Sequence, residues 1–394
     1  MKLPSQEEKI FIEQNINSDL TSLLLSKNKE IDIKFCAQQI EGYNKAKDKF
    51  PSLLSINSLL FPRKINLEQT SSEQTAKYKA SLFENKNTIS DLSSGFGIDD
   101  IFFAKQFKKV YYHERDTELA EIAEYNFKAL GINNIEVRKG DSTSDINNIE
   151  EVDIIYIDPS RRDNNNNKVF LIQDCQPNII EILPILLSKA KQICIKLSPM
   201  LDIKQAIRDL GNIKEIHIIS IRNECKELLL ILEKGYNSEI EYHCIDFDSK
   251  ENINTFIYFS EDISPRLASK DSITKGKYFY EPNTSVLKAG AFNIICKTFP
   301  IEKIAPHSHL YISEKEIIDF PGRRFIIQDI LPYNNKTIKH INTLFHKANI
   351  TIRNFPLTVS EIRNKTKIKE GGENYLFFTT NKDNEKIIIS CEKI

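Results

Sequence analysis

Residues 88–99, with the sequence TISDLSSGFGID, decide the fold. An apolar run at 88–93 leads through Asp91 into Gly95-Phe96-Gly97, and a helical pattern follows. A strand that breaks into two closely spaced glycines before a helix lets the backbone approach a ligand and points amide N–H groups at it. A dinucleotide loop would carry a third glycine, but Asp100 stands at that position. The stretch therefore predicts the first strand and ligand loop of an open α/β sheet that takes a different cofactor.

The chain from this stretch to residue 234 alternates between short apolar runs and amphipathic segments. The strand candidates are 88–93, 109–113, 135–138, 153–157, 192–197, 215–221 and 228–233. The helix candidates are near 99–107, 116–130, 174–190 and 202–210. This alternation predicts a parallel sheet covered by helices on both faces. Only RNECKE separates the last two strands, which is too short for a parallel crossover, so we expect an antiparallel hairpin. The predicted fold class is α/β, with a Rossmann-like seven-stranded sheet.

Acidic side chains stand at the ends of the second and third predicted strands. Glu114 lies 19 residues after Gly95, and Asp141 follows the third strand. Carboxylates at the C-terminal ends of strands in an open sheet can accept hydrogen bonds from ribose hydroxyls and an adenine amine. Any one of these acids could instead be a helix N-cap or a solvated loop residue, but together with Asp91 they predict a cofactor site. The predicted cofactor-binding residues are Asp91, Ser93, Gly95, Gly97, Glu114, Arg115 and Asp141.

The fourth strand candidate ends in Asp158-Pro159-Ser160-Arg161-Arg162. This stretch resembles the (D/N)-P-P-(Y/F) motif of amino-group methyltransferases, although Ser160 and the two arginines replace the aromatic residue. A carboxylate and a following backbone carbonyl, held rigid by proline, can accept both N–H bonds of an amine and aim its lone pair at a methyl donor without a metal. Arginine can stack on a base or hold a phosphate. The alternative is a tight turn whose arginines form structural ion pairs. We predict a catalytic group of Asp158, Pro159, Ser160 and Arg161.

Residues 88–234 resemble a class I S-adenosylmethionine-dependent methyltransferase, whose cofactor loop has the pattern D-x-x-x-G-x-G. The whole chain is similar to a bacterial family in which a ferredoxin-like segment and a THUMP-like domain follow the methyltransferase. The motifs that carry this similarity are Glu68–Ala76 with Tyr78-Lys79-Ala80, Asp91–Asp99, Asp158–Arg162, Lys196–Met200, Asn223–Glu227, Glu281–Asn283 with Lys288–Gly290, and Arg353–Pro356 with Gly371-Gly372. The resemblance implies S-adenosyl-L-methionine as cofactor and methylation of RNA, either tRNA or rRNA, because THUMP domains present RNA to attached modifying domains. We expect the acceptor to be a nitrogen of a base.

The chain is predicted to divide into four parts. They are an N-terminal helical region (1–80), the methyltransferase domain (81–236), a ferredoxin-like α+β segment (237–321) and a THUMP-like domain (322–394). The segment Thr70–Ala80 admits two compatible interpretations. Ser71 and Gln74 fit a helix capping box, and in related methyltransferases this stretch folds over the methionine end of the cofactor.

Charge is distributed unevenly along the chain. Residues 322–394 hold 13 Lys and Arg against 7 Asp and Glu, a net of +6, while the whole chain has a net charge of −1. Such basic clusters supply phosphate contacts, although a solvated face in a lysine-rich protein would look the same. The predicted RNA-binding residues are Arg353, Arg363, Lys365 and Lys367.

Composition excludes several other classes of protein. The start of the chain lacks a signal peptide pattern, and no apolar run is long enough to span a membrane, so we expect a cytoplasmic protein. Seven scattered cysteines without CxxC indicate neither a disulfide framework nor a metal site, and Cys194 is predicted to lie in the core rather than to act as a nucleophile. Methylation of a protein or small amine, and a non-catalytic RNA-binding protein with a relict cofactor fold, remain the alternatives. Oligomeric state is left open.

Overall fold

The structure is a computed structural model that describes residues 1–25, 31–55, 58–84, 86–144, 146–160 and 172–394. The chain forms two compact units. Unit 1 comprises residues 1–216 and 227–238, and unit 2 comprises residues 217–226 and 239–394.

Unit 1 begins with helices, as the sequence predicts. They are α1 (Gln6–Gln14), α2 (Leu20–Leu25), α3 (Ile33–Lys49), α4 (Lys64–Gln69) and α5 (Glu73–Ser81). The capping prediction is wrong by one residue: Ser72 is the N-cap of α5 and accepts a hydrogen bond from the Thr75 N–H, at 3.3 Å. Ser71 is free for another partner, and its hydroxyl donates to Asp99 at 2.8 Å.

The alternating pattern folds into strands and helices close to the predicted bounds. The strands are β1 (Thr88–Asp91), β2 (Lys109–Glu114), β3 (Ile135–Lys139), β4 (Val152–Ile157), β5 (Ala190–Leu197), β6 (Ile213–Ile221) and β7 (Glu224–Glu233). The helices among them are α6 (Ile98–Phe103), α7 (Thr117–Ala129), α8 (Ile179–Lys189) and α9 (Ile203–Leu210). These seven strands follow one another in the sheet in the order β3-β2-β1-β4-β5-β7-β6.

The first five strands of this sheet are parallel, and β7 runs antiparallel to β5. The predicted Rossmann-like α/β fold with a final β6–β7 hairpin is therefore confirmed. The strand order reverses between β1 and β4, which places the loops after these two strands at the point where open α/β sheets bind ligands. Apolar side chains of β1, β4 and β5, such as Ile89, Ile155 and Ile195, are fully buried.

Unit 2 is α+β, as predicted. Its strands are β8 (Glu241–Phe247), β9 (Ile253–Phe259), β10 (Tyr278–Pro282), β11 (Glu302–Lys303), β12 (Tyr311–Ser313), β13 (Gly322–Pro332), β14 (Asn349–Arg353), β15 (Asn374–Thr380) and β16 (Lys386–Lys393). Its helices are α10 (Thr284–Ala289), α11 (Ile295–Thr298), α12 (Asn335–Leu344) and α13 (Val359–Thr366). Strands β10 to β16 form one sheet in the order β11-β12-β10-β13-β16-β15-β14, in which only β14 and β15 pair in parallel.

Candidate active site

The loop after β1 is built around the buried carboxylate of Asp91. This side chain is 1% exposed, and its Oδ1 accepts hydrogen bonds from the Ser93 N–H at 2.8 Å and the Ser93 hydroxyl at 3.3 Å. Burial, helped by the nearby carboxylates of Asp99 and Asp158, raises the pKa of Asp91 well above its usual range. Ser93 is thus held against the strand end by the acid that the sequence singles out.

The two glycines of the loop have different structural tasks. Gly97 is the N-cap of α6 with φ +81°, and a Cβ there would lie 2.6 Å from the Phe127 ring. Gly95 has φ +56°, but a Cβ there would meet no atom closer than the Ser93 carbonyl oxygen at 4.0 Å. Packing therefore requires Gly97, whereas Gly95 borders open space into which a ligand can fit.

Glu114 joins the end of β2 to this loop. Its carboxylate accepts hydrogen bonds from the Gly95 N–H at 2.9 Å and from the Asp116 N–H at 2.7 Å. The Tyr112 hydroxyl donates to the Gly95 carbonyl at 2.6 Å. The structure thus brings Glu114 directly beside the glycine loop, 19 residues earlier in the sequence.

Asp141 and Arg115 are exposed side chains at the ends of β3 and β2. Hydrogen bonds from Thr143, with a smaller contribution from the Arg115 charge, lower the pKa of Asp141. One oxygen of Asp141 accepts both Thr143 bonds, at 2.6 and 2.9 Å.

Asp158 follows β4 and stands next to the β1 loop. Its N–H donates to the Ser93 hydroxyl at 2.6 Å, and its Oδ2 accepts a hydrogen bond from the Lys196 ammonium at 2.5 Å. Beyond Pro159, the backbone of Ser160 exchanges two hydrogen bonds with Gln176, at 2.7 and 3.0 Å. Arg161 and Arg162 lie outside the described residues, so their predicted roles stay predictions.

Lys196 belongs to a buried ionic network that sequence reasoning missed. The second lysine is Lys79 on α5, which is fully buried and lies 2.9 Å from Asp99. The two lysines share Glu227, whose Oε2 lies 3.6 Å from the Lys79 Nζ and 4.0 Å from the Lys196 Nζ. Three motifs that resemblance alone had singled out thus meet beside Asp158. They lie near residues 68–80, 196–200 and 223–227.

The network fixes the charge state of its members. Burial by itself would lower the pKa of Lys196, but the carboxylates of Asp158, Glu227 and Asp99 raise it well above its usual range. Burial opposes ionisation of Asp99 as well, yet Lys79 and Lys196 hold the pKa of that carboxyl below its usual range. Both groups are therefore charged at neutral pH, and Lys196 is a hydrogen-bond donor rather than a base.

Cys194 lies on β5 and is fully buried, and burial raises the pKa of its thiol far above its usual range. A thiolate nucleophile is therefore not available at this position, in line with the prediction that it belongs to the core.

Two cavities lie elsewhere on unit 1. One, of about 300 Å³, is lined by residues such as Phe83, Gln192 and Lys214. The other, of about 350 Å³, is lined by residues such as Thr88 and Asp153 at the N-terminal ends of β1 and β4. Neither includes a predicted site residue, and open α/β sheets bind ligands at the opposite, C-terminal ends. We therefore place the candidate site around Asp91 and Asp158.

The four predicted RNA-binding residues of unit 2 fall into two kinds. Arg353 lies 2.8 Å from the buried Glu281, and the Arg363 guanidinium donates to the carbonyls of Ile368 and Ala348, at 3.1 and 3.2 Å. Lys365 and Lys367 are exposed. The two arginines therefore have structural partners within their unit, and the two lysines are the members placed to meet a phosphate.

The sheet order and the arrangement at the ends of β1, β2 and β4 define a class I methyltransferase domain. Comparison with known families assigns two further segments of the chain. Residues 278–321 match a ferredoxin-like domain, and residues 322–393 match a THUMP domain-like family.

A candidate methyltransferase of Porphyromonas gingivalis W83, known from its crystal structure, is 30% identical to the chain, with 100% of both chains covered and a TM-score of 0.87. The chain belongs to the family of class I S-adenosylmethionine-dependent methyltransferases with a ferredoxin-like segment and a C-terminal THUMP-like domain, which confirms the family predicted from the sequence.

Other similarities cover less of the chain. An uncharacterized RNA methyltransferase of Clostridium acetobutylicum is 28% identical over 171 residues, which are 42% of this chain and 35% of that protein. The chain thus matches only about a third of the length of this curated relative. The structure of M. capricolum TrmK with S-adenosyl-homocysteine aligns with 18% identity over 42% of this chain and 70% of that one, with a TM-score of 0.33.

Proposed function

We propose that the protein transfers a methyl group from S-adenosyl-L-methionine to RNA. The observation that carries this proposal is the set of hydrogen bonds in the β1 loop, which join Asp91 to Ser93, Ser93 to Asp158, and Gly95 to Glu114. The similarity to an RNA methyltransferase and the THUMP-like domain support RNA as the substrate. The three domain boundaries drawn at residues 81, 237 and 322 and the cytoplasmic location remain part of this proposal. Among the described residues, no helix is both long and apolar enough to cross a bilayer.

The residues at the site fit the cofactor. The bare backbone of Gly95 leaves the open space that a bulky ligand needs, and the carboxylate of Glu114 retains lone pairs to accept ribose hydroxyls. We assign Asp141 and Arg115 to the adenine end of the cofactor, and the loop around Asp91 to its methionine end. The bound cofactor supplies an electrophilic methyl group, and the protein positions the acceptor against it.

Asp158 is proposed to receive the acceptor. The Asp158-Pro159 pattern by itself favours a nitrogen of a base, since a carboxylate and a carbonyl can accept the two N–H bonds of an amine. The contact between Asp158 and Lys196 is the specific observation that favours a second candidate, a hydroxyl acceptor.

Cofactor binding tests the first half of the proposal. Glu114→Ala removes up to two charge-assisted hydrogen bonds to the ribose, each worth about 1.5–3 kcal/mol, so we expect calorimetry to show an affinity loss of at least about tenfold. Glu118→Ala, on the exposed first turn of α7, is the matched control and should bind like wild type. Wild-type protein that does not bind the cofactor would contradict the methyltransferase proposal, and full affinity in Glu114→Ala would remove that residue from the site.

Methyl transfer tests the second half. Asp158→Ala should lower turnover by about 100-fold or more, because a positioning and electrostatic contact at the acceptor is lost, while cofactor affinity changes only a few-fold. The assay uses labelled cofactor with total RNA from cells that lack the gene. Transfer to protein or small amines but not to RNA would favour the alternative substrate class.

A further inference from the structure

We infer that Lys196 makes this site selective for an oxygen acceptor, and that the group methylated is the ribose 2′-hydroxyl of RNA rather than a base nitrogen. This inference rests on the proposed function and concerns the acceptor atom of the same site.

The Asp158 carboxylate already binds a cationic hydrogen-bond donor. Its Oδ2 is already the acceptor of a 2.5 Å bond from Lys196, whose side chain is 14% exposed. The acceptor therefore has only the other oxygen of Asp158 available. A hydroxyl needs nothing more for its single proton, whereas an amine needs a backbone carbonyl in addition for its second N–H bond. Asp158 is 36% exposed, so its other oxygen can be reached from outside.

Amine and hydroxyl acceptors develop different charges during methyl transfer. Methyl transfer to an amine gives a cationic nitrogen, which a fixed ammonium beside the same carboxylate disfavours. Methyl transfer to a hydroxyl needs electron density on oxygen as its proton leaves, and a buried cationic donor stabilises this density. The charge of Lys196 thus discriminates between the two acceptors.

Lys196 keeps its positive charge because carboxylates surround its ammonium group. Lys196 and Lys79 face the carboxylates of Asp158, Glu227 and Asp99. Glu227 is 6% exposed and lies between the two lysines, which keeps Lys196 in place. Lys196 therefore does not take the proton of the acceptor, and Asp158, which is 36% exposed, is the carboxylate of this group that an acceptor can reach.

The chemistry balances without a further reactant. A bond forms between the hydroxyl oxygen and the methyl carbon, the bond from this carbon to sulfur breaks, sulfur keeps the electron pair, and the hydroxyl proton passes to Asp158 and then to water. No group is oxidised or reduced. In RNA, the hydroxyl present at every internal nucleotide is the ribose 2′-OH, which is also the group that distinguishes RNA from DNA.

The chemistry of the product tests the inference. The full-length protein is incubated with total RNA from cells that lack the gene and with labelled cofactor, and the RNA is hydrolysed in alkali. A 2′-O-methyl group blocks cleavage at its nucleotide, so we expect the label in alkali-resistant dinucleotides. Label in mononucleotides carrying a methylated base would overturn the inference while leaving RNA methylation intact. Absence of label from RNA would overturn the proposed function and, with it, this inference.

Variants of Lys196 provide a second test. Lys196→Met should lower turnover at least about 100-fold with cofactor affinity within about threefold, and Lys196→Arg should restore part of the turnover.

Lys191→Met is the matched control, since Lys191 lies on the same strand and is exposed. Wild-type turnover in Lys196→Met would overturn the role of this residue. If Lys196→Met fails to bind cofactor because the fold is lost, an oligonucleotide with 2′-deoxyribose at the modified nucleotide replaces it. This oligonucleotide should bind the wild-type protein but accept no methyl group, and its methylation would contradict the inference.

Discussion

At the scale of single residues, substitutions at the two glycines of the cofactor loop should affect different properties: stability at Gly97 and cofactor binding at Gly95. Gly97→Ala places a Cβ 2.6 Å from the Phe127 ring and in a left-handed conformation, so we expect a loss of about 2–4 kcal/mol in the free energy of unfolding. Gly95→Ala meets only the conformational cost, about 1 kcal/mol, and should mainly weaken cofactor binding. Chemical denaturation and calorimetry on both variants check this contrast. Equal destabilisation by the two substitutions would contradict it.

His113 makes the stability of unit 1 depend on pH. The ring is 5% exposed and pairs with the Ser90 hydroxyl at 3.2 Å, and burial, with a smaller contribution from Arg138, lowers its pKa from 6.5 to about 4. The unfolded chain binds a proton below pH 6.5 and the folded chain only below about 4, so stability falls as the pH drops through this window. We expect a loss of about 2 kcal/mol between pH 7 and pH 5.

Denaturation at several pH values measures this effect. His113→Gln should flatten the pH dependence of the unfolding free energy in this window, whereas His340→Gln, an exposed histidine on α12, should leave it unchanged. An unchanged slope in His113→Gln would show that other groups control it.

Functional residues with a distinctive local pattern could be predicted from the sequence. Residues whose role depends on tertiary contacts could not. Asp91, Gly95 and Asp158 stand where strands end, and this position is visible in the alternation of apolar runs. Lys79 and Lys196 look like two of many lysines, because nothing local indicates that distant carboxylates surround them. An isolated lysine in an apolar strand, such as Lys196 in QICIKL, is the one available signal, since burial of a lysine requires a partner.

At the scale of elements, a buried ammonium group links α5 to α6 and to the methyltransferase sheet. Lys79 donates to Ser71 at 2.6 Å and to Asp99 at 2.9 Å. Lys79→Met leaves buried carboxylates without a counter-charge, so we expect a loss of about 3–5 kcal/mol in stability. Lys77→Met on the same helix, 56% exposed and in contact with Glu73 and the Phe102 ring, should cost less than about 1 kcal/mol. Urea unfolding compares the two.

A second substitution separates charge from packing. Adding Asp99→Asn to Lys79→Met removes one of the unpaired carboxylates and should restore part of the stability. Equal losses in the Lys77 and Lys79 variants, or no recovery in the double variant, would show that the ionic network does not hold α5.

The hairpin of β6 and β7 shows why boundaries are harder to predict than elements. The stretch RNECKE was expected to form the connection, but only Arg222 and Asn223 form the turn, and both have positive φ values, 51° and 63°. Two central residues with positive φ match the twist of adjacent strands, and asparagine tolerates this conformation well. Strand β7 starts earlier than predicted because Glu224, Cys225 and Lys226 are exposed or half-buried, which hides the apolar pattern.

At the scale of the whole molecule, RNA binding should depend on the exposed lysines of the THUMP-like domain and not on its arginines. Arg353 and Arg363 are paired inside their unit, so their replacement by Ala should lower stability before it affects RNA contacts. Lys365→Ala with Lys367→Ala should leave the fold and cofactor affinity unchanged and weaken RNA binding. Each lost phosphate contact should reduce the salt slope of the binding constant by about 0.7–0.9.

A filter-binding salt titration with the purified chain and tRNA or rRNA measures this slope. Lys382→Ala with Lys386→Ala removes the same charge from other exposed positions of the domain and serves as the control. A fall in slope for the first pair only would locate the phosphate contacts at the end of α13, because a general loss of positive charge would act equally in both pairs. Wild-type affinity and slope in the first pair would mean that these lysines form a solvated face, and RNA would then have to be held by other residues of the chain.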